Sequence, residues 1–170
     1  MADYAVRAAT LDDLEALTEI YNHYVVHTTI TFDLVPFTVE ERRPWFDAHA
    51  IDSRHRLLAA EEAGRVVGFA STSRFRPKAA YDTTVEASVY CSPEAVGRGI
   101  GRALYQNLFE SIAGEDINRI VAGVTLPNER SIALHQRFGF QPVGTFSANG
   151  RKFGGYWDVV WLERPLILKI

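Results

Sequence analysis

Sulfur-containing residues are nearly absent from this sequence, which has one cysteine and one methionine in 170 residues. The single cysteine, Cys91, excludes an internal disulfide framework. Cysteine and histidine are nowhere grouped with the spacing of a zinc site. We therefore expect neither a disulfide nor a bound metal.

Long apolar runs are also missing, and no segment approaches the roughly 18 apolar residues that a membrane-spanning helix requires. The first residues, MADYAVRAATLDDLEAL, include acidic side chains and no long apolar stretch, so we expect no secretory signal. The net charge of -3 gives no support to general nucleic-acid binding. These absences predict a soluble, cytoplasmic protein that binds neither nucleic acids nor membranes.

Hydrophobic residues make up 47% of the chain and charged residues 23%, which is typical of a globular protein. The length suits a single domain over 1–170. No repeat, low-complexity tract or linker divides it. Strand-like and helix-like segments occur in mixed order, which predicts an α/β fold with a mixed sheet rather than a doubly wound nucleotide-binding fold.

Periodicity and turn signals place the elements of this fold. The helix after Thr10 carries a stripe of apolar residues at helical spacing, namely Leu11, Leu14, Leu17, Ile20 and Tyr21. Asn149-Gly150 predicts the turn of a final hairpin. The predicted elements are strands at 4–9 and 82–92, two strands joined by a turn within 55–75, a strand at 119–125, helices after Thr10, after Thr38, after the glycines at 97–101 and at 128–140, a loop at 28–37, and the hairpin over 141–166.

Three alternating glycines, Gly97, Gly99 and Gly101, lie between a predicted strand and a predicted helix. Glycine permits close backbone approach and positive φ angles, and successive amides in such a loop can bind an anion. The N-terminus of the following helix adds donors and a positive dipole end, and Arg98 and Arg102 add charge. A phosphate or diphosphate ligand is predicted, although a mobile loop remains an alternative.

Two common phosphate-binding patterns do not fit this loop. The dinucleotide fingerprint G-x-G-x-x-G fails because its last position falls on Arg102 or Leu104. The ATP-binding loop needs Gly-Lys followed by Ser or Thr, and that tripeptide is absent. A dinucleotide-binding domain is therefore disfavoured.

The loop, VGRGIGRAL after ASVYCSP, resembles the acetyl-CoA loop of the GNAT superfamily of N-acetyltransferases, whose pattern is Gln/Arg-x-x-Gly-x-Gly/Ala. Val96 departs from the usual Gln or Arg. The segment NERSIALHQRFGF is similar to the second signature of the family, and EIYNHYVVHTTITFD, TVEASVY and GRKFGGYWDVVWLER look like its phosphinothricin and methionine sulfoximine acetyltransferase branch. The resemblance implies the GNAT fold, a mostly antiparallel sheet that is splayed at the acetyl-CoA site, and a homodimer.

The resemblance also implies which residues contact acetyl-CoA. The acetyl group and pantetheine arm would contact the strand after Glu86, the diphosphate would contact the glycine loop, and the helix at 128–140 would contribute polar side chains. The implied cofactor-binding residues are Ser88, Val89, Tyr90, Val96, Gly97, Arg98, Gly99, Ile100, Gly101, Asn128, Ser131 and His135.

Glu86 is the predicted general base. It interrupts a strand of small and β-branched residues, so burial is expected to raise the pKa of its carboxyl toward neutrality. A structural alternative is a glutamate that pairs with Arg76 or Lys152. Cys91 alternates onto the opposite face of the strand and is predicted to be a buried apolar residue rather than a nucleophile.

His135 shares a helix face with Ser131 and is a candidate acid for the departing thiolate, although a structural histidine is equally consistent with its position. Arg76 is the candidate clamp for a substrate carboxylate, with Arg74 or Lys78 as alternatives. The resemblance implies the substrate-binding residues Phe75, Arg76, Pro77, Val85, Glu86 and Ala87. Weaker candidates for the pocket wall are Phe32, Tyr81, Lys152 and Trp157.

The sequence thus predicts an acetyl-CoA-dependent N-acetyltransferase that acts on a small amino acid or analogue by direct transfer in a ternary complex. Two alternatives remain open. One is acetylation of a peptide or protein N-terminus, and the other is a non-catalytic sensor of acyl-CoA.

Overall fold

A seven-stranded sheet forms the centre of the computed structural model, which describes residues 4–166. The strands are β1 (Tyr4–Ala8), β2 (Leu57–Glu62), β3 (Arg65–Arg74), β4 (Thr84–Cys91), β5 (Arg119–Thr125), β6 (Gln141–Lys152) and β7 (Gly155–Pro165), in the spatial order β1-β2-β3-β4-β5-β7-β6. The helices are α1 (Leu14–His27), α2 (Val39–Asp47), α3 (Ile100–Ser111) and α4 (Glu129–Arg137). Only the pairing of β4 with β5 is parallel.

The helices cover opposite faces of this sheet, as strand alternation requires. Leu58 and Ala70 pack in the cluster that includes α3, and residues of α4 pack against the same cluster. Their neighbours Leu57 and Phe69 pack with α1, and side chains of α2 lie against that second cluster. Each face of the sheet therefore has its own apolar core.

The sheet opens between β4 and β5. These strands pair only over Thr84–Glu86 and Arg119–Val121, whereas β4 stays paired with β3 up to Cys91. Beyond Glu86, no strand within residues 4–166 pairs with β4 on its β5 side, so the backbone groups that would complete a ladder there are available to a ligand. The predicted splay is present.

Most predicted elements are confirmed, including the strand at β4 with alternating faces and the helix after Thr38. A capping box begins that helix, because Thr38 and Glu41 bond reciprocally. The first helix differs in detail, because a 3₁₀ turn at Leu11–Asp13 precedes α1. That turn moves Leu11 off the buried stripe, and it is 47% exposed.

The predicted turn at Asn149-Gly150 is wrong. The hairpin turns at Phe153-Gly154, which have positive φ angles of 51° and 76°, as the tight turns that match strand twist require. Gly150 lies within β6 opposite Trp157, next to a bulge that begins after Phe146. It is glycine because a Cβ there would lie 2.2 Å from the Phe32 ring.

None of the helices within residues 4–166 is long and apolar enough to cross a membrane.

Candidate active site

The loop before α3 presents backbone amides that have no backbone acceptor within residues 4–166, although the amide of Gly101 is directed at the Cys91 thiol. Gly97 and Gly99 adopt positive φ angles of 88° and 87°, which only glycine enters readily. Within the described residues, the amides of Gly97 and of positions 99–102 donate to no backbone carbonyl, and the first helical bond of α3 runs from Ala103 N to Gly99 O. Such a set of free donors at a helix N-terminus fits an anion, in particular a diphosphate.

The positive charge of Arg98 is paired with a carboxylate outside this loop. Its guanidinium makes a two-point contact with the carboxylate of Glu62 at the end of β2, with Nη1 3.0 Å from Oε2. Arg102 and Arg130 line the adjoining cleft. These two arginines are therefore the cations better placed to face a phosphate.

The cleft beside this loop has a volume of about 500 Å³. It continues into the gap between β4 and β5, because Ile30, Val89, Asn128 and Ser131 line both spaces. The gap is narrow, with a volume of about 50 Å³, and its walls are Ala87 to Tyr90 of β4 and 123–125 of β5. An elongated ligand with an anionic middle and a slender end fits this shape.

Asn128 caps α4 by accepting a hydrogen bond from Ser131 N at 3.1 Å. One turn later, His135 is buried and both its ring nitrogens have partners. Nδ1 lies 2.7 Å from Ser131 O, which can only accept, so Nδ1 carries the proton. Nε2 then accepts from the Tyr105 hydroxyl at 2.9 Å.

Burial lowers the pKa of His135 and favours this neutral ring. Burial also raises the pKa of Tyr105 far above its ordinary value, so its hydroxyl keeps its proton. Both side chains line the gap between β4 and β5. The group that sequence reasoning identified as a candidate acid is thus one half of a buried tyrosine–histidine pair.

Glu86 lies on the last pairing position of β4 with β5, at the mouth of the gap. Burial raises the pKa of its carboxyl, and the positive charge of Arg76 lowers it by a smaller amount. Among residues 4–166 its carboxylate forms no ion pair, so the structural alternative of a strand-holding salt bridge finds no support. A half-buried carboxylate without a permanent cation is suited to accept a proton.

Arg76 lies in the connection between β3 and β4, where its guanidinium stacks 4.8 Å from the Phe75 ring centroid. Its neighbour Arg74 is occupied, because it donates to Arg76 O at 3.0 Å and Pro77 O at 2.7 Å and pairs with Asp82. Arg74 therefore supports the connection while Arg76 remains exposed. Of these two arginines, Arg76 is the one available for a carboxylate ligand.

Phe75 and Arg76 also line an open cavity of about 470 Å³ that continues over β5 and the β6–β7 hairpin. Phe75 packs edge-on against Tyr81 and Trp161, with centroid distances of 5.9 and 5.8 Å. Tyr81 is thus a wall residue of this cavity, as the sequence suggested.

The other weak candidates gather around the loop after α1. Lys152 is buried and donates to Thr31 O at 2.8 Å, and Trp157 Nε1 donates to Lys152 O at 3.0 Å. Phe32 packs on Gly150, as described above. These contacts hold the loop after α1 against the final hairpin rather than leaving a lysine free to pair with Glu86.

The side chains of Val85 and Ala87 are buried in the α3-side core, so only their backbone can meet a substrate. Cys91 faces the same side, and burial raises the pKa of its thiol to about 11. It lines the large cleft on the face opposite Glu86. Its geometry and protonation suit a wall residue.

Sequence reasoning missed Tyr105 and Glu62. Tyr105 follows Leu104 in the buried stripe of α3 and reads as core, and its partner His135 is thirty positions away. Glu62 ends β2 far from the glycine loop in sequence. Neither pairing has a signature in local periodicity, so only the fold brings them together.

Known proteins match this chain along most of its length. A model described as the acetyltransferase (GNAT) family matches residues 14–140. The chain is 53% identical over 167 residues to the phosphinothricin N-acetyltransferase of Streptomyces coelicolor, covering 97% of this chain and 98% of that one. It is 35% identical over 162 residues to the L-methionine sulfoximine/L-methionine sulfone acetyltransferase of Pseudomonas paraeruginosa, covering 95% and 94%.

A solved structure agrees with these matches. The GNAT superfamily phosphinothricin acetyltransferase from Sinorhizobium meliloti, in complex with acetyl-CoA, has a TM-score of 0.89 and 34% identity, and the match covers 96% of this chain and 88% of that one. The predicted fold class is confirmed.

Proposed function

Since the chain belongs to the acetyltransferase (GNAT) family, we propose that it transfers the acetyl group of acetyl-CoA to the amine of a small amino acid or analogue. Phosphinothricin, methionine sulfoximine and methionine sulfone are the first acceptors to consider, because the similar proteins above are named for them. The observation that carries the proposal is the gap between β4 and β5. It connects a loop of free amides to a carboxylate that has no ion-pair partner in the described chain.

The donor site comprises the glycine loop, the cleft and the gap. The amides of Gly97 and of positions 99–102 bind the diphosphate, and Arg102 and Arg130 add positive charge. Acetyl-CoA supplies the activated thioester, and Ser88, Val89 and Tyr90 hold its acetyl end through their backbone.

The acceptor site lies at Arg76 and Glu86. Arg76 binds the carboxylate of the amino acid, and charge-assisted bidentate contacts of this kind give geometric specificity. Glu86, directly or through a water, takes the proton that the amine must lose before it attacks. The raised pKa of its carboxyl brings it closer to that task at neutral pH.

The departing thiolate needs a proton or a hydrogen bond, and the Tyr105–His135 pair lies at the gap where it leaves. His135 has its Nδ1 proton committed to Ser131 O, so the hydroxyl of Tyr105 is the donor nearer to this role. Its single proton is held by His135 Nε2, so the hydroxyl must turn away from that nitrogen to reach the thiolate. His135 then acts as the partner that orients Tyr105.

A homodimer is the proposed assembly, formed through the β6–β7 hairpin. β6 is an edge strand, and Val143, Phe146 and Tyr156 on this hairpin are 63%, 57% and 66% exposed. Apolar side chains exposed together on an edge strand mark an interaction surface. Light scattering should report a dimer that Phe146→Asp weakens, and a monomeric wild-type protein at micromolar concentration would contradict the assembly.

Thioester consumption, measured across acceptors with acetyl-CoA, tests the function. We expect turnover with phosphinothricin, methionine sulfoximine or methionine sulfone and none with peptides. Turnover with peptides alone would instead establish an N-terminal acetyltransferase. Binding of acetyl-CoA without consumption by any acceptor would establish a sensor.

A further inference from the structure

His49, which has no role in the proposed reaction so far, contacts Ser73, the cross-strand neighbour of Glu86. His49, which follows α2, has Nδ1 2.8 Å from Trp45 O and Nε2 3.1 Å from Ser73 Oγ. A carbonyl oxygen only accepts, so Nδ1 carries the proton and Nε2 accepts from the Ser73 hydroxyl. The ring is neutral in this arrangement, with a lone pair aimed at Ser73.

Ser73 is the cross-strand neighbour of Glu86. In the antiparallel pairing of β3 with β4, Ser73 lies opposite Glu86, just as Phe69 lies opposite Tyr90. Residues directly opposite each other point to the same face, with Cβ atoms about 4.5–5.5 Å apart. The serine hydroxyl that contacts His49 Nε2 therefore lies on the same face of the sheet as the carboxylate of Glu86, on the neighbouring strand.

The proposed reaction releases a proton on this face of the sheet, where Glu86 lies. An ammonium acceptor and a thioester yield an amide, a thiol and one proton, so each turnover must return one proton to solvent. Glu86 receives that proton but is half-buried, and no ionised side chain pairs with it in the described chain. A route to water is needed to reset the base.

We propose that Ser73 and His49 form this outlet. The inference rests on the proposed function, because it requires Glu86 to be the base. Protonated Glu86 gives its proton to Ser73 Oγ, directly or through a water, while the hydroxyl proton of Ser73 passes to His49 Nε2. Because Nδ1 keeps its proton on Trp45 O, the proton that leaves the imidazolium is the one on Nε2. The ring turns from Ser73 towards the cavity beside Ala50 and Ile51, releases that proton to water and turns back, which restores the starting tautomer.

The surroundings of His49 favour release. Burial lowers the pKa of His49, hydrogen bonding to the backbone of Trp45 and Phe46 opposes that shift, and electrostatic repulsion from His55 and Arg42 lowers the pKa further. The titratable and charged groups described around the ring are thus Arg42 on α2, His55 ahead of β2 and, beyond Ser73, Glu86 on β4. His49 also lines a small cavity next to Ala50 and Ile51, and Ile51 is 64% exposed, so solvent is near.

The test replaces His49 by glutamine, which keeps a hydrogen bond to Ser73 but cannot carry a proton. In weakly buffered solution, we expect His49→Gln to lower kcat about 10-fold, below the full effect of a general base, with KM for both substrates unchanged. Added imidazole should restore the rate, because it can carry the proton instead. Ser73→Ala should show the same loss and the same rescue, and His55→Gln, which removes a neighbouring imidazole, should behave like the wild type.

The inference is overturned if His49→Gln has the wild-type rate, or if its loss is not relieved by imidazole, since a packing defect would not respond to a proton carrier. The wild-type rate in the same assay distinguishes failure of the proposed function from failure of the proton outlet. A wild type that consumes no thioester with any acceptor would refute the proposed function itself. An active wild type leaves the outlet to be judged on the variants alone.

Discussion

Replacing Glu86 by glutamine removes the proposed base while keeping the size and shape of the side chain. A positioned general base contributes about 10²–10⁴-fold to rate. That range corresponds to roughly 2.7–5.5 kcal/mol of transition-state stabilisation. We expect a loss of kcat in this range with unchanged affinity for acetyl-CoA, because the amides that bind the diphosphate lie on the other side of the gap.

The same Glu86→Gln substitution should increase stability at neutral pH although it lowers kcat. Burial raises the folded-state pKa of Glu86 above its ordinary value of 4.5. A carboxyl with a raised pKa contributes stability below pH 4.5, and this contribution is lost as pH rises through the folded-state pKa. The glutamine variant escapes this loss, so at pH 7 it should be more stable than the wild type, and the difference should vanish below pH 4.5.

Paired measurements decide the question. Steady-state kinetics with the best acceptor and chemical denaturation at pH 7 and pH 4 are needed for Glu86→Gln, with Glu163→Gln on β7 as a control. If Glu86 instead formed a structural salt bridge, its replacement would lower the stability of the protein. A variant that is less stable at pH 7 and keeps most of its kcat would therefore refute the assignment of Glu86 as base.

Three further predictions concern the loop, the clamp and the buried pair. Gly99→Ala forces a side chain into the left-handed region at φ 87°, so it should lower the free energy of unfolding by about 1–2 kcal/mol. Calorimetry should also show weaker CoA binding. Gly114→Ala is the control, because the space around Gly114 is open and CoA binding should not change. Arg76→Gln should raise KM for free amino acids about 10–150-fold, which is the value of a hydrogen bond to a charged group, but should not raise KM for amino-acid amides. It should also move the acidic limb of the pH–rate profile to higher pH, because Arg76 lowers the pKa of Glu86. Equal effects on acids and amides would contradict the role of Arg76 as a carboxylate clamp. Tyr105→Phe removes the donor to His135 Nε2, so an NMR titration should show the pKa of His135 rising; an unchanged titration would mean that the Tyr105 hydroxyl does not set its state.

Local patterns predicted those parts of the molecule whose causes are local. The alternation along β4 separated Glu86 from Cys91 correctly, because side chains of a strand point alternately to its two faces whatever surrounds it. The glycine loop was recognisable because a positive φ angle restricts the choice of residue at a single position. The family resemblance supplied the splay of the sheet, which no periodicity encodes.

The errors and omissions arose where distant segments meet. Asn149-Gly150 has the composition of a tight turn, yet Gly150 is required by the Phe32 ring that packs on it from the loop after α1. The free turn residues are Phe153 and Gly154. His49 gave no signal in sequence, since its interest comes from Ser73 and, through the pairing of β3 with β4, from Glu86.

The parting of β4 from β5 explains why this sheet can support acetyl transfer at all. The glycine loop and Cys91 lie towards the α3 side of β4, whereas Glu86 projects from the opposite face. An intact sheet would separate a donor on one side from a base on the other by a layer of paired backbone. Because pairing stops at Glu86 and Val121, the thioester and the amine can meet within the plane of the sheet itself. The proposed base, Glu86, lies at the last paired residue, where the strand is still held in register and the opening has just begun.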